Sequence, residues 1–302
     1  MLPTRPLLKP WYRLSIRETA AVMRYGGSLL EFHGRAAVRL LPLLLPLLDG
    51  TRTVEEIVSQ LGEPIRPAVL HALEVLAERQ LLSEPMPAGR TVEFLVATDG
   101  YGRDATTVAA ALSRARVSVI GSAEAADRIA TLLGESLDRV ERAGFRDDVD
   151  ADLAVVAPAA HEVPLVRSWN EHALERGTTW LQVMPFDGLI AVVGPIFVPR
   201  QTACHECYRL RRAANIAAIA DREEGAYPGS PAFDAILAGL AATIALRRVA
   251  LDDSRFVGVL LAVEETACTR HVLYRVPRCP VCSTAAGVAL PAPWHALVEH
   301  AA

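Results

Sequence analysis

Val117-Ser118-Val119-Ile120-Gly121-Ser122-Ala123-Glu124-Ala125-Ala126 is the stretch on which the fold turns. An apolar run of strand length ends in a glycine and opens onto a helical pattern that reaches residue 133. This is the strand–turn–helix arrangement of a nucleotide-binding α/β sheet, which carries G-x-G-x-x-G in the turn. Only the first glycine, Gly121, is present here. Ala123 carries a Cβ where the backbone must approach a phosphate, and Glu124 adds a negative charge that repels one. The expectation is a nucleotide-binder's fold with a degraded site, and no ATP in this chain.

Working outward, strand-length apolar runs alternate with helical ones over residues 91–302. Residues 92–97, 117–120, 153–157, 179–184, 189–198, 257–264 and 268–276 read as strands; 123–133, 165–175 and 233–250 read as helices. Alternation with helical crossovers predicts a largely parallel sheet with helices on both faces. Upstream, residues 83–90 (SEPMPAGR) are rich in Pro, Gly and polar groups and read as a linker. The expected division is therefore residues 1–88 and 89–302.

The first domain reads as strands over 10–16, 20–24 and 28–32, with Tyr25-Gly26-Gly27 as a turn. Three helical segments follow. Residues 34–48 are interrupted by Pro42 and Pro46; residues 54–61 open on a Thr53–Glu56 capping box; a third begins at Pro67 and runs to about residue 80. Three strands followed by three helices is the order of a small winged-helix domain.

Composition sets bounds on the rest. The 302 residues are 51% hydrophobic and 22% charged with a net charge of −4, which suits buried cores and gives no global basic field for nucleic acid. Lys9 is the sole lysine, so no phosphate-binding or Schiff-base lysine exists in the body of the chain. The longest apolar stretch, residues 40–48, is too short for a bilayer and holds two prolines. Without a signal-peptide pattern, a cytoplasmic protein with no membrane association is expected.

Cys204-His205-Glu206-Cys207 and Cys279-Pro280-Val281-Cys282 are two C-x-x-C pairs. The two-residue gap lets both sulfurs of a pair reach one ion, and four thiolates make a closed tetrahedral zinc site. With no open position, zinc at Cys204, Cys207, Cys279 and Cys282 would be structural. His205, inside the first pair, is a competing ligand by type. Cys268 is left over and reads as a core residue of its strand. No H-E-x-x-H, P-loop or G-x-S-x-G is present, and the eight histidines are scattered. The acidic run Asp147-Asp148-Val149-Asp150-Ala151-Asp152 reads as a solvated turn.

The stretch LLEFHGRAAVRLLPLLLPLLDGTRTVEEIV is similar to the PqqD-like peptide recognition element of ribosomal-peptide pathways. The stretch WNEHALERGTTWLQVMPFDGLIAVVGPIFVPRQTACHECYRLRRAAN, with HVLYRVPRCPVC, resembles the ThiF-like half of azoline-forming cyclodehydratases. Its most specific parts are Gly194-Pro195 through Cys207 and Arg278 through Cys282. Together they resemble the leader-binding partner proteins of thiazole/oxazole-modified microcin and thiopeptide pathways. The resemblance implies a winged-helix domain joined to a Rossmann-type α/β domain. It implies binding of a precursor's leader and delivery of its core to a separate YcaO-type enzyme that uses ATP, and it implies a homodimer. ThiF-like adenylating enzymes place an acidic residue just after the strand over 153–157; this chain has Ala157-Pro158-Ala159-Ala160, and only a partial match at Arg167 and Asn170. An active adenylating enzyme is thus the alternative.

For capture, a strand edge formed by Ser28, Leu29, Leu30, Glu31 and Phe32 can add an extended leader through main-chain hydrogen bonds. Leu29, Leu30, Val69 and Leu73 are candidate pocket walls between that strand and the helix over 66–80, and Arg66 and Arg79 candidate partners for acidic leader residues. The alternative is that these leucines are simply core. A DNA-binding winged helix is disfavoured, because that helix is mostly apolar and carries a thin basic set.

Overall fold

The computed structural model describes residues 2–85, 89–99, 103–215 and 230–283. Two compact units emerge, Met1–Ala110 and Ala111–Ala302.

In the first unit, β1 (Leu7–Leu8), β2 (Arg13–Ile16), β3 (Ala20–Tyr25) and β4 (Ser28–His33) precede α1 (Arg35–Leu44), α2 (Val54–Leu61), α3 (Arg66–Glu78) and β5 (Leu82–Ser83). β2, β3 and β4 form an antiparallel sheet in that order, and β1 pairs with β5 through Leu7↔Ser83. Local chemistry sets the boundaries. The Tyr25-Gly26-Gly27-Ser28 hairpin closes on two glycines, Gly26 at φ +54°. Thr53 and Glu56 form a reciprocal capping box at the start of α2. Met23, Leu44, Ile57, Leu73, Leu76 and Leu81 are wholly buried in the unit's core.

After β5 come α4 (Arg90–Thr98) and α5 (Ala105–Arg114). The strand expected over 92–97 is therefore a helix. Val92, Leu95 and Val96 are its buried residues, at i, i+3 and i+4. A short unbroken apolar run contains both the strand and the helical period, so periodicity alone does not decide it. Of the expected linker, Ser83 closes β5 and Arg90 opens α4, while residues 86–88 lie outside the described residues.

The second unit contains β6 (Arg116–Ile120), α6 (Glu124–Gly134), β7 (Arg139–Ala143), β8 (Leu153–Val156), α7 (Leu165–Arg176), β9 (Trp180–Met184), β10 (Ala191–Phe197), α8 (His205–Asn215), α9 (Pro231–Leu251), β11 (Val259–Val263) and β12 (Cys268–Val272). Its seven strands run β12-β11-β10-β9-β8-β6-β7. The sheet is parallel only from β7 to β9; β10, β11 and β12 are antiparallel. The expectation of a largely parallel sheet is corrected accordingly. No helix separates β9 from β10 or β11 from β12, and a short connection can join only antiparallel neighbours. β7, which carries Arg139, Glu141 and Arg142 on a sheet edge, has no apolar run to announce it.

Gly121 ends β6 at φ +112°, and a Cβ there would lie 2.1 Å from the Ala157 carbonyl oxygen, so only glycine fits. Among the described residues no helix is long and apolar enough to cross a membrane.

Candidate functional site

The four paired cysteines converge. Sγ–Sγ separations are 3.9 Å for Cys204–Cys207, 3.8 Å for Cys204–Cys279 and 3.5 Å for Cys207–Cys282, and all four sulfurs lie within 4.8 Å of one another. A tetrahedral ion with metal–sulfur bonds of about 2.3 Å has sulfurs about 3.8 Å apart, so this cluster can hold one metal ion. All four side chains are buried in the second unit's core. Thiols this close cannot ionise together without a cation. Hydrogen bonding to Cys207 raises Cys204, whereas hydrogen bonding from Cys204 lowers Cys279. The Val276 N–H also donates to Cys207 Sγ at 3.3 Å.

His205 is not aimed at the sulfurs. Its Nδ1 is 2.6 Å from Gln182 Oε1, an atom that only accepts, so Nδ1 carries the proton. Burial, then the charges of Arg209 and Arg167, lowers its pKa to about 3 and keeps the ring neutral. Its backbone N–H donates to Asn170 Oδ1 at 3.0 Å, with both residues buried. Asn170 thus holds the start of α8, and Arg167 lies 3.5 Å from the buried Glu206 carboxylate. Neither neighbour was marked by spacing in the sequence, because contact between α7 and α8 is long-range.

At the carboxyl ends of β6 and β8, where this sheet type places a nucleotide's phosphates, the Glu162 carboxylate links the two turns. Glu162 Oε2 accepts the Ser122 N–H at 2.7 Å and the Ala159 N–H at 2.8 Å. Burial alone would raise this carboxyl's pKa, but the hydrogen bonds from Ala159 and Ser122 outweigh it and hold the group below its ordinary value. The sequence showed missing glycines; it did not show a carboxylate bridging the two turns. Glu124, the other negative charge, is paired with Arg128 at 2.6 Å.

In the first unit β4 lies at the sheet edge and, among the described residues, pairs only with β3. The Gly34 N–H bonds to Thr19 O, which fixes the alternation: Ser28, Leu30 and Phe32 point their main-chain groups at β3, and Leu29, Glu31 and His33 point theirs outward. Leu30 and Phe32 pack against the core, while Leu29 is 51% exposed on the opposite face. The helix packed on β4 is α1, not α3. Val69 and Leu73 of α3 are completely buried, and Arg66 is engaged with Glu55 at 2.7 Å and Glu63 at 2.8 Å. The structure therefore assembles β4 as an edge, buries Val69 and Leu73 in the core and engages Arg66 with two carboxylates away from that strand. Cys268, expected in the core, is exposed on β12. The acidic run is exposed, with Asp148 paired to Arg176 at 2.9 Å and Asp150 to Arg116. His295 and His300 lie outside the described residues.

No family model matches the sequence, and no curated protein does. Solved structures share the fold. A heterocyclase in complex with substrate and cofactor superposes with a TM-score of 0.72 at 22% identity, over 92% of this chain and 39% of that one. The heterocyclase TruD gives 0.71 at 24% identity, over 93% and 43%. E. coli MccB with ATP gives 0.64 at 15% identity, over 92% of this chain and 99% of that one, and MccB has also been solved with MccA bound. The chain spans about two fifths of the two heterocyclase chains and nearly the whole of MccB.

Proposed function

We propose that this chain captures the leader of a ribosomally made precursor peptide and presents its core to a separate YcaO-type, ATP-dependent cyclodehydratase that forms thiazolines or oxazolines. Residues 1–88 act as a PqqD-like winged-helix recognition domain, and residues 89–302 as a ThiF-like domain stapled by zinc at Cys204, Cys207, Cys279 and Cys282. The chain works in the cytoplasm as a homodimer and does no bond-making of its own.

The observation that carries this reading is the open edge of β4, where Leu29, Glu31 and His33 offer six main-chain groups to an added strand. Leu29 supplies an exposed apolar anchor beside them. Val69 and Leu73 belong to the core against which Leu30 and Phe32 of that strand pack, and Arg66 is held at the start of α3 by Glu55 and Glu63. The fold likeness to a heterocyclase solved with its substrate, and to MccB solved with MccA, agrees with peptide handling.

The test uses the full chain and synthetic leader segments of candidate Cys/Ser/Thr-rich precursor peptides. Glu31→Pro removes an outward N–H while leaving the β3 ladder whole. One lost hydrogen bond and the clash of the ring with a guest strand cost about 2–3 kcal/mol, so Kd is expected to rise roughly 30- to 150-fold. Unchanged affinity in the folded variant places capture elsewhere.

A second reading, an adenylating enzyme, is favoured by the likeness to MccB solved with ATP. Against it stand the Glu162 carboxylate bridging the turns after β6 and β8 and the run Ala157-Pro158-Ala159-Ala160 directly after β8, which carries no acidic residue. Saturable Mg-ATP binding by the purified chain would decide for it.

A further inference from the structure

β12 is unlike the other strands of its sheet. All five of its residues are exposed, although the strand is hydrogen-bonded along its whole length to β11. It closes one edge of the seven-stranded sheet. The Leu273 N–H bonds to Gly258 O and the Glu264 N–H to Ala267 O, which fixes the alternation. Thr269 and His271 point their main-chain groups at β11; Cys268, Arg270 and Val272 point theirs away from the sheet. The register runs from Val259↔Val272 to Val263↔Cys268 with no bulge, and no proline or lysine interrupts the strand. Proline, lysine and a bulge, three of the devices that ordinarily blunt an edge, are absent from this strand.

The edge also has a sign. Residues 268–278, CTRHVLYRVPR, contain three arginines and a histidine and no acidic residue. Arg270 sits 5.9 Å over the Phe256 ring and donates to the Arg255 carbonyl, so its charge is held in place with no carboxylate partner among the described residues. Val272 is 56% and Tyr274 52% exposed, giving an apolar strip beside the charge.

We infer that β12 is a second strand-addition edge, which docks an extended, acidic segment of a partner protein bearing apolar residues among its carboxylates. Main-chain bonds to Cys268, Arg270 and Val272 supply the pairing, and Arg270 the choice of charge. The proposed function bears on this only in naming the partner: a chain that hands a peptide to a separate enzyme needs a surface to hold that enzyme.

The experiment uses the full-length chain and two fluorescein-labelled peptides, Glu-Val-Glu-Thr-Glu-Val-Glu and its lysine counterpart, read by fluorescence anisotropy. The glutamate peptide is expected to bind saturably and the lysine peptide at least about tenfold more weakly, with added salt closing the gap. Val272→Pro removes an outward N–H without touching the β11 ladder and is expected to abolish binding. Arg270→Glu is expected to weaken it about tenfold. Bound peptide should also slow alkylation of Cys268 by iodoacetamide, which decides the matter if Val272→Pro does not fold. Absence of saturable binding, equal binding of the lysine peptide, or unprotected Cys268 overturns the inference. Leader capture is read separately at β4, so either idea can fail while the other stands.

Discussion

Replacing Glu162 with alanine tests whether its carboxylate ties the turns after β6 and β8 together. The carboxylate accepts two main-chain N–H groups, from Ser122 at 2.7 Å and Ala159 at 2.8 Å. Hydrogen bonds to a charged acceptor are worth about 1.5–3 kcal/mol each, so the pair is worth about 3–6 kcal/mol before solvent is considered. Glu162 is half-buried, and water screening and competition roughly halve that figure. The expected loss is about 2 kcal/mol at neutral pH, measured by urea denaturation through the buried Trp169 and Trp180. The sign with pH follows from the direction of the shift. The folded pKa lies below the ordinary 4.5, because the hydrogen bonds from Ala159 and Ser122 outweigh burial. The stabilisation is therefore fully present above 4.5 and is lost as pH falls through the lower folded value. Wild type and variant should converge as the solution is acidified below 4.5. A variant within about 0.3 kcal/mol of wild type at neutral pH, which is below the usual worth of one hydrogen bond, or a deficit that does not narrow in acid, would refute the reasoning.

Cys279→Ala should abolish retention of about one zinc per chain and unfold the second unit, since a structural metal supplies folding free energy directly; metal analysis and limited proteolysis check both. Asn170→Leu keeps the volume but strands the buried His205 N–H, which should cost about 1–3 kcal/mol. The same change should speed zinc transfer to a chelating dye while the circular dichroism spectrum stays native, because the start of α8 carries Cys204 and Cys207.

What the sequence settled by itself was local or short in range. Thr53 and Glu56 announced the start of α2 because a capping box is complete within four residues. The two C-x-x-C pairs announced four metal-type ligands because each pair carries its own spacing. Gly121 announced the strand-to-helix turn after β6 because it stands between an apolar run and a helical one. Tertiary structure decided what depends on distant partners. Residues 92–97 became helix because Val92, Leu95 and Val96 found a buried face. Val69 and Leu73 became core, and Cys268 was left on an open edge, because packing and strand order assign exposure, and neither is written in the residues themselves. Glu162 reached Ser122 across forty positions of sequence only because β6 and β8 lie side by side in the sheet. Spacing along the chain fixes contacts within a turn or two; contacts between strands and helices far apart in sequence exist only once the chain has closed its core.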